Sequence, residues 1–192
     1  LEGSWQAHVA AWRNGELFGP EGAARWCLAR LGIEVDEALA AELARAIAEA
    51  THEAGIRIVE GAPEALEAVR RRHIPTALVC DTGFTPGSVV REALQELGLR
   101  LDHYVFSDEV GVPKPNPLIF RSALQATGAD PERAVHIGDL RRTDVAGARA
   151  AGMATIRFAG VHDDSWADEE ARGEEADAVL RRWADLLELL GF

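Results

Sequence analysis

Long apolar runs are missing from this sequence. None of its 192 residues falls in a stretch approaching the ~18 residues of a membrane span. The start, Leu1-Glu2-Gly3-Ser4-Trp5, lacks the basic residues and apolar stretch of a secretory leader, so no membrane partner is expected. Cysteine is scarce. Cys27 and Cys80 stand alone with no framework spacing, and a reduced, cytoplasmic protein is the simplest expectation. Positive charge is in deficit: 20 Lys and Arg against 32 Asp and Glu give a net charge of −12. That balance argues against nucleic acid and anionic membrane surfaces as partners. It leaves a phosphate substrate open, because a metal ion and one lysine can invert the local field. The six histidines are scattered without metal-ligand spacing, and no internal repeat or low-complexity segment occurs. The first residue is Leu rather than Met, which raises the expectation of a fragment or processed product. No feature of the sequence bears on oligomeric state.

What is present divides by pattern. Residues 1–56 read as all-helical. Trp5, Val9 and Trp12 form one apolar stripe at i, i+4 and i+7, expected chiefly to pack against other helices, with a pocket contribution as the alternative. Pro20 can open a second helix that stops at Gly32, and a third runs from about Asp36 to His52. From about residue 57 to 192 the pattern changes to alternating strands and helices. Strands are expected at Thr76–Cys80 and His103–Ser107, from Ala134 to an end at Asp139, and at Ala154–Phe158. Helices are expected from Pro63 to Arg72, from Pro86 to Leu97 with Thr85 as cap, and from Pro117 to Gly128 with Asn116 as cap. The acidic stretch 161–176 reads as a solvated loop, and Asp177–Leu190 as a last amphipathic helix. Alternation of this kind implies right-handed crossovers and a parallel sheet covered on both faces. The expected fold class is therefore α/β and Rossmann-like, with a small helical segment at 1–56 ahead of an α/β core at 57–192.

Three polar loops follow three of these strands. In a parallel α/β sheet, ligands bind beyond the carboxyl ends of the strands. The loops would bring Asp81, Thr82 and Gly83, then Lys114, then Asp139 and Asp144, to one crevice. A hydroxyl and backbone N–H groups at a helix start suit a phosphoryl oxygen. An ammonium offsets further anionic charge, and two carboxylates five residues apart suit a hard cation such as Mg²⁺. Each residue also has a plainer reading. Asp139 can cap a turn, Asp144 can simply favour a helix N-terminus, Lys114 can be a solvated lysine, and Asp81 and Thr82 can be turn residues. Arg141 and Arg142 read as exposed charges. His136, inside an apolar strand, reads as a hydrogen-bonded core histidine rather than a ligand.

Together the loops resemble the haloacid dehalogenase-like (HAD) superfamily over most of the chain, from about Gly61 to Leu190. Gly138-Asp139-Leu140-Arg141-Arg142-Thr143-Asp144-Val145-Ala146-Gly147 looks like its fourth motif. Gly111-Val112-Pro113-Lys114-Pro115 looks like the third, and Thr76–Cys80 followed by Asp81-Thr82-Gly83 like the second. The resemblance implies a Mg²⁺-dependent phosphatase acting on a small phosphorylated metabolite through an aspartyl-phosphate, with residues 1–56 as a helical cap. It implies Asp139 as a metal ligand and Asp144 as a second ligand or a holder of metal-bound water. Lys114 and Thr82 would be catalytic, with Thr82, Gly83, Asp81 and Lys114 around the phosphate. The hydroxyl position falls on Asp81 or Thr82. Thr82 is favoured, since a carboxylate would repel a phosphate. Dehalogenation, the superfamily's metal-free reaction, is disfavoured by the acidic Asp139/Asp144 pair.

One departure stands out. The family's first motif, Asp-x-Asp after an apolar strand, occurs nowhere in the sequence; Asp163, Asp164 and Asp168 have no strand before them. The attacking aspartate is therefore expected outside the given chain, and residues 1–192 alone are expected to be inactive. Two alternatives remain: a non-catalytic HAD-like binding or regulatory module lacking the nucleophile, and a receiver-like domain phosphorylated on Asp81, which the Gly138-Asp139…Thr143-Asp144 loop disfavours.

Overall fold

The structure is a computed structural model that describes residues 2–161 and 173–192. Asp163, Asp164 and Asp168 lie outside the described residues. The chain divides into two compact units. The first comprises Leu1–Ile56, Val79–Arg100 and Val105–Pro113; the second comprises Arg57–Leu78, Leu101–Tyr104 and Lys114–Phe192.

The first unit holds the three expected N-terminal helices, α1 (Glu2–Arg13), α2 (Pro20–Arg30) and α3 (Glu37–Ala54). Pro20 opens α2 as its fixed φ favours, and Asp36 caps α3 by accepting from the N–H of Leu39. Small faces let the helices approach. Ala23, Ala24 and Leu28 of α2 and Ala40 and Ala44 of α3 are buried. A Cβ on Gly3 would lie 2.5 Å from the Trp26 ring, so glycine allows α1 to sit against α2. The tryptophan stripe departs from simple helix packing: Trp5 is 54% exposed, and Trp12 donates its indole N–H to Asp81 (2.9 Å).

Strand β1 (Ala77–Cys80) pairs with β2 (His103–Phe106), and the polar turn after β1 leads to α5 (Gly87–Glu96) in the first unit. Thr85 does not cap this helix. Gly87 N–H donates instead to the carboxylate of Asp108 at 2.9 Å, which lies in the short α6 (Ser107–Val110) after β2. A Cβ on Gly87 would lie 2.4 Å from Phe106 Cγ, so a larger residue could not start the helix there.

The second unit contains α4 (Ala62–Arg70), α7 (Pro117–Thr127), β3 (Val135–Gly138), α8 (Ala146–Ala150), β4 (Ala154–Phe158), β5 (Ala178–Leu180) and α9 (Leu186–Leu189). Asn116 caps α7 through Leu118 N–H, and Gly128 ends it in a left-handed conformation, both as the sequence predicts. β3, β4 and β5 form a parallel sheet with Ile137 opposite Ile156 and Phe158 opposite Leu180. Ala65, Val69, Ile156, Phe158, Leu180 and Leu186 make its core. The predicted helix at 177–190 is thus a strand, a 3₁₀ turn (Trp183–Asp185) and a short helix. The edge of β4 needs a partner, and Ala159 N–H finds it at the carbonyl of Leu180. Sheet pairing outweighs the helical spacing of the apolar residues.

The described part of the acidic stretch, residues 173–176, is irregular and mostly exposed as expected, yet Glu175 within it and Asp177 just after it are tied into ion pairs. Glu175 binds the buried Arg157 at 2.8 Å and Arg141 at 3.3 Å. Asp177 binds Arg149 and accepts from both the N–H and hydroxyl of Thr155 (2.8 Å each). Arg141, predicted to be exposed, keeps only 16% of its side chain in solvent. The hydrogen bonds from Arg157 hold Glu175 down to about 2, and those from Arg149 and Thr155 hold Asp177 down to about 2. Both carboxyls lie lower folded than unfolded. Their stabilisation is therefore complete above the unfolded range near pH ~4.5 and is lost as pH falls toward ~2. The melting temperature should drop across that window, and Glu175→Gln should lower it more at pH 7 than at pH 3. Parallel melting curves for the variant and parent at all pH values would contradict this.

Candidate functional site

In the first unit, Asp81, Thr82 and Gly83 follow β1. The Asp81 carboxylate accepts from Trp12 Nε1 and so is anchored as a turn residue. Thr82 is 8% exposed. Its N–H donates to Ser107 Oγ at 2.8 Å, and its hydroxyl lies 3.0 Å from the same oxygen. Gly83 passes close to His8: a Cβ there would lie 3.1 Å from the imidazole Cε1. His8 Nδ1 is 3.0 Å from the carbonyl of Phe18, so this nitrogen carries the proton. A cleft of about 640 Å³ in this unit is lined by residues including Phe18, Gly22, Ala44, Ala48, Pro86 and Asp108.

In the second unit, Lys114 and Asp144 meet directly. Lys114 Nζ stands 2.7 Å from Asp144 Oδ1, and His136 Nε2 stands 3.0 Å from the same oxygen. The other oxygen, Oδ2, accepts from Leu140 N–H at 3.1 Å. Asp144 is 2% exposed. Burial by itself would raise its carboxyl. The Lys114 ammonium and the His136 hydrogen bond outweigh that and hold it well below the usual carboxylate range. An ionised carboxylate only accepts, so His136 Nε2 carries the hydrogen. His136 is the hydrogen-bonded core histidine its strand position predicts.

Local backbone builds this cluster. Asp144 lies in a π-helical turn, Arg141–Val145, before α8, with its N–H and that of Val145 both on the carbonyl of Leu140. A wide turn of this kind swings the side chain back toward the end of β3. There Gly138 leaves it room: a Cβ would sit 2.2 Å from Asp144 Cγ. Behind it, Phe120 packs edge-on against His136 with ring centroids 5.0 Å apart. Gly147 lets α8 approach that ring, where a Cβ would be 2.3 Å from Phe120 Cε2.

Asp139 follows the last residue of β3 and is partly buried. Mg²⁺ takes oxygen ligands, often one or two carboxylates completed by water and substrate oxygens. Asp144 does not fit as a direct ligand, because N–H donors occupy both its oxygens and it is closed off from solvent. Asp139, at a strand's carboxyl end, fits by chemistry and place. Among the described residues, no group of three His, Cys, Asp or Glu is placed to hold a metal ion. No helix among them is long and apolar enough to cross a membrane.

Sequence reasoning missed Ser107 and the Trp12–Asp81 bond. Ser107 had one visible signal, as a small polar residue between the apolar β2 and the acidic pair Asp108-Glu109.

Comparison with known proteins adds the following. A family model for haloacid dehalogenase-like hydrolases matches residues 9–152. The glyceraldehyde 3-phosphate phosphatase of Pyrococcus furiosus is 33% identical over 140 residues, covering 70% of this chain and 55% of that protein. The phosphoserine phosphatase of Thermus thermophilus is 38% identical over 122 residues, covering 60% and 44%. The chain thus spans about half the length of the curated relatives it matches. Among solved structures, the 2-haloacid dehalogenase of Pseudomonas syringae superposes with a TM-score of 0.66 at 25% identity, covering 90% of this chain and 70% of that one.

Proposed function

Because the chain belongs to the haloacid dehalogenase-like hydrolase family, we propose that it is part of a Mg²⁺-dependent phosphatase for a small phosphorylated metabolite. The observation that carries this is the buried pair of Lys114 and Asp144, which holds an ammonium beside the end of β3. The names of the phosphatase relatives support a small phosphorylated substrate.

The roles divide as follows. Thr82, with the backbone at Gly83, donates hydrogen bonds to phosphoryl oxygens. Asp81 shapes the turn and is held there by Trp12. Lys114 offsets phosphoryl charge, while Asp144 keeps the ammonium in place and His136 keeps Asp144 in place. Asp139 would hold Mg²⁺, which when bound polarises a phosphoryl oxygen. Residues 1–56 serve as the helical cap segment. The attacking aspartate lies outside residues 1–192, since no Asp-x-Asp occurs within them.

The likeness to a 2-haloacid dehalogenase favours a second reading, displacement of halide from a haloacid. One panel separates the two. The natural protein containing this chain is assayed for phosphate release from glyceraldehyde 3-phosphate, phosphoserine and related monoesters, and for halide release from 2-chloropropionate. Phosphate release is expected, with none from residues 1–192 alone. Halide release without phosphate release would replace the phosphatase reading. Turnover by the isolated 192-residue chain would refute an external nucleophile.

A further inference from the structure

Ser107 opens α6 and is fully buried. Among the described residues its hydroxyl oxygen has two hydrogen-bond neighbours, the N–H of Thr82 at 2.8 Å and the hydroxyl of Thr82 at 3.0 Å. A backbone N–H only donates, so Ser107 Oγ is its acceptor. The Ser107 hydroxyl hydrogen then needs an acceptor of its own, because a buried unpaired donor is costly. Among the described residues, Thr82 Oγ1 is the acceptor within hydrogen-bond reach. Ser107 therefore donates to Thr82, and the hydrogen of the Thr82 hydroxyl must point elsewhere.

We infer that Ser107 is a positioning residue that sets the direction of the Thr82 hydroxyl, turning it outward as a donor to a phosphoryl oxygen. The inference rests on the reading of Thr82 as a phosphoryl-binding residue. With the opposite polarity, Thr82 would present only lone pairs, and these would repel a phosphoryl oxygen. The next two residues hold Ser107 in register. Asp108 accepts from Gly87 N–H at 2.9 Å, and Glu109 binds Arg91 of α5 at 2.9 and 3.0 Å. Arg91 in turn lies over the Phe106 ring, 5.0 Å from its centroid. Three consecutive residues thus fasten the loop after β1 and the helix that follows it.

The test is a double-mutant cycle on the natural protein, read as orthophosphate affinity by calorimetry and as kcat and KM on p-nitrophenyl phosphate. Ser107→Ala should weaken orthophosphate binding roughly tenfold, the scale of one hydrogen bond to a charged group. It should add no loss once Thr82→Val has removed the hydroxyl it directs. Ser107→Thr, which keeps a hydroxyl, should restore affinity. If Ser107→Ala does not fold, Ser107→Cys, a weak donor, carries the same expected loss. Two results would overturn the role of Ser107 while leaving that of Thr82: unchanged affinity in Ser107→Ala beside a weakened Thr82→Val, or equal losses from Ser107→Ala with and without the Thr82 hydroxyl. Absence of orthophosphate binding in the unaltered protein, or indifference to Thr82→Val, would overturn the phosphoryl reading of Thr82 and this inference with it.

Discussion

Asp144→Asn should lower the melting temperature by roughly 6–20 °C. The substitution keeps the shape and removes one charge. The Lys114 ammonium and the His136 N–H then stay mostly buried with no anion, at 13% and 11% side-chain exposure. Breaking a buried pair by removing one partner costs about 3–5 kcal/mol. In a chain of this length each kcal/mol moves the midpoint by ~2–4 °C. A control isolates the cause. Lys114→Met in the Asp144→Asn background removes the stranded ammonium and should recover part of the loss. A melting temperature within 2 °C of the parent, or a double variant no more stable than the single, would contradict the pairing.

Asp139→Asn should act the other way round. In the natural protein containing this chain it should cut turnover on p-nitrophenyl phosphate by about two orders of magnitude or more, the several kcal/mol of charge stabilisation a bound cation supplies. It should also weaken the response to added Mg²⁺. The melting temperature should move little, because Asp139 is partly buried at a strand end rather than closed inside the core. Two aspartates five residues apart in one loop are thus separated by readout: Asp144 by stability, Asp139 by turnover. Unchanged turnover in Asp139→Asn would remove the metal role from this residue.

Local signals carried much of the fold. Asn116, Pro117 and Gly128 mark both ends of α7, and each acts through the residue's own backbone and side chain. The strand ending before Asp139 and the lysine before Pro115 are legible for the same reason. The failures share a different cause. Ala178–Leu180 is a strand because β4 needs a neighbour, which lies 20 or more residues away. Thr85 leaves α5 uncapped because Asp108 reaches Gly87 from across the unit. Arg141 is drawn inward by Glu175.

The candidate site shows the same division. Composition and spacing single out Lys114 and Asp144, but their 2.7 Å contact depends on a π-helical turn and on the missing Cβ of Gly138. That contact adds a role as anchor for Lys114 to the expectation of Asp144 as a second ligand or a holder of metal-bound water. Ser107 is invisible in the sequence as a partner of Thr82, because 25 residues separate them and only the pairing of β1 with β2 brings their loops together.

The most direct measurement is phosphate release from p-nitrophenyl phosphate by the natural protein containing this chain, followed through chelation with EDTA and restoration of Mg²⁺. Release that stops on chelation and returns with Mg²⁺ is the predicted result. Absence of phosphate release with Mg²⁺ present, or release indifferent to chelation, would contradict a Mg²⁺-dependent phosphatase built on Lys114, Asp139 and Asp144.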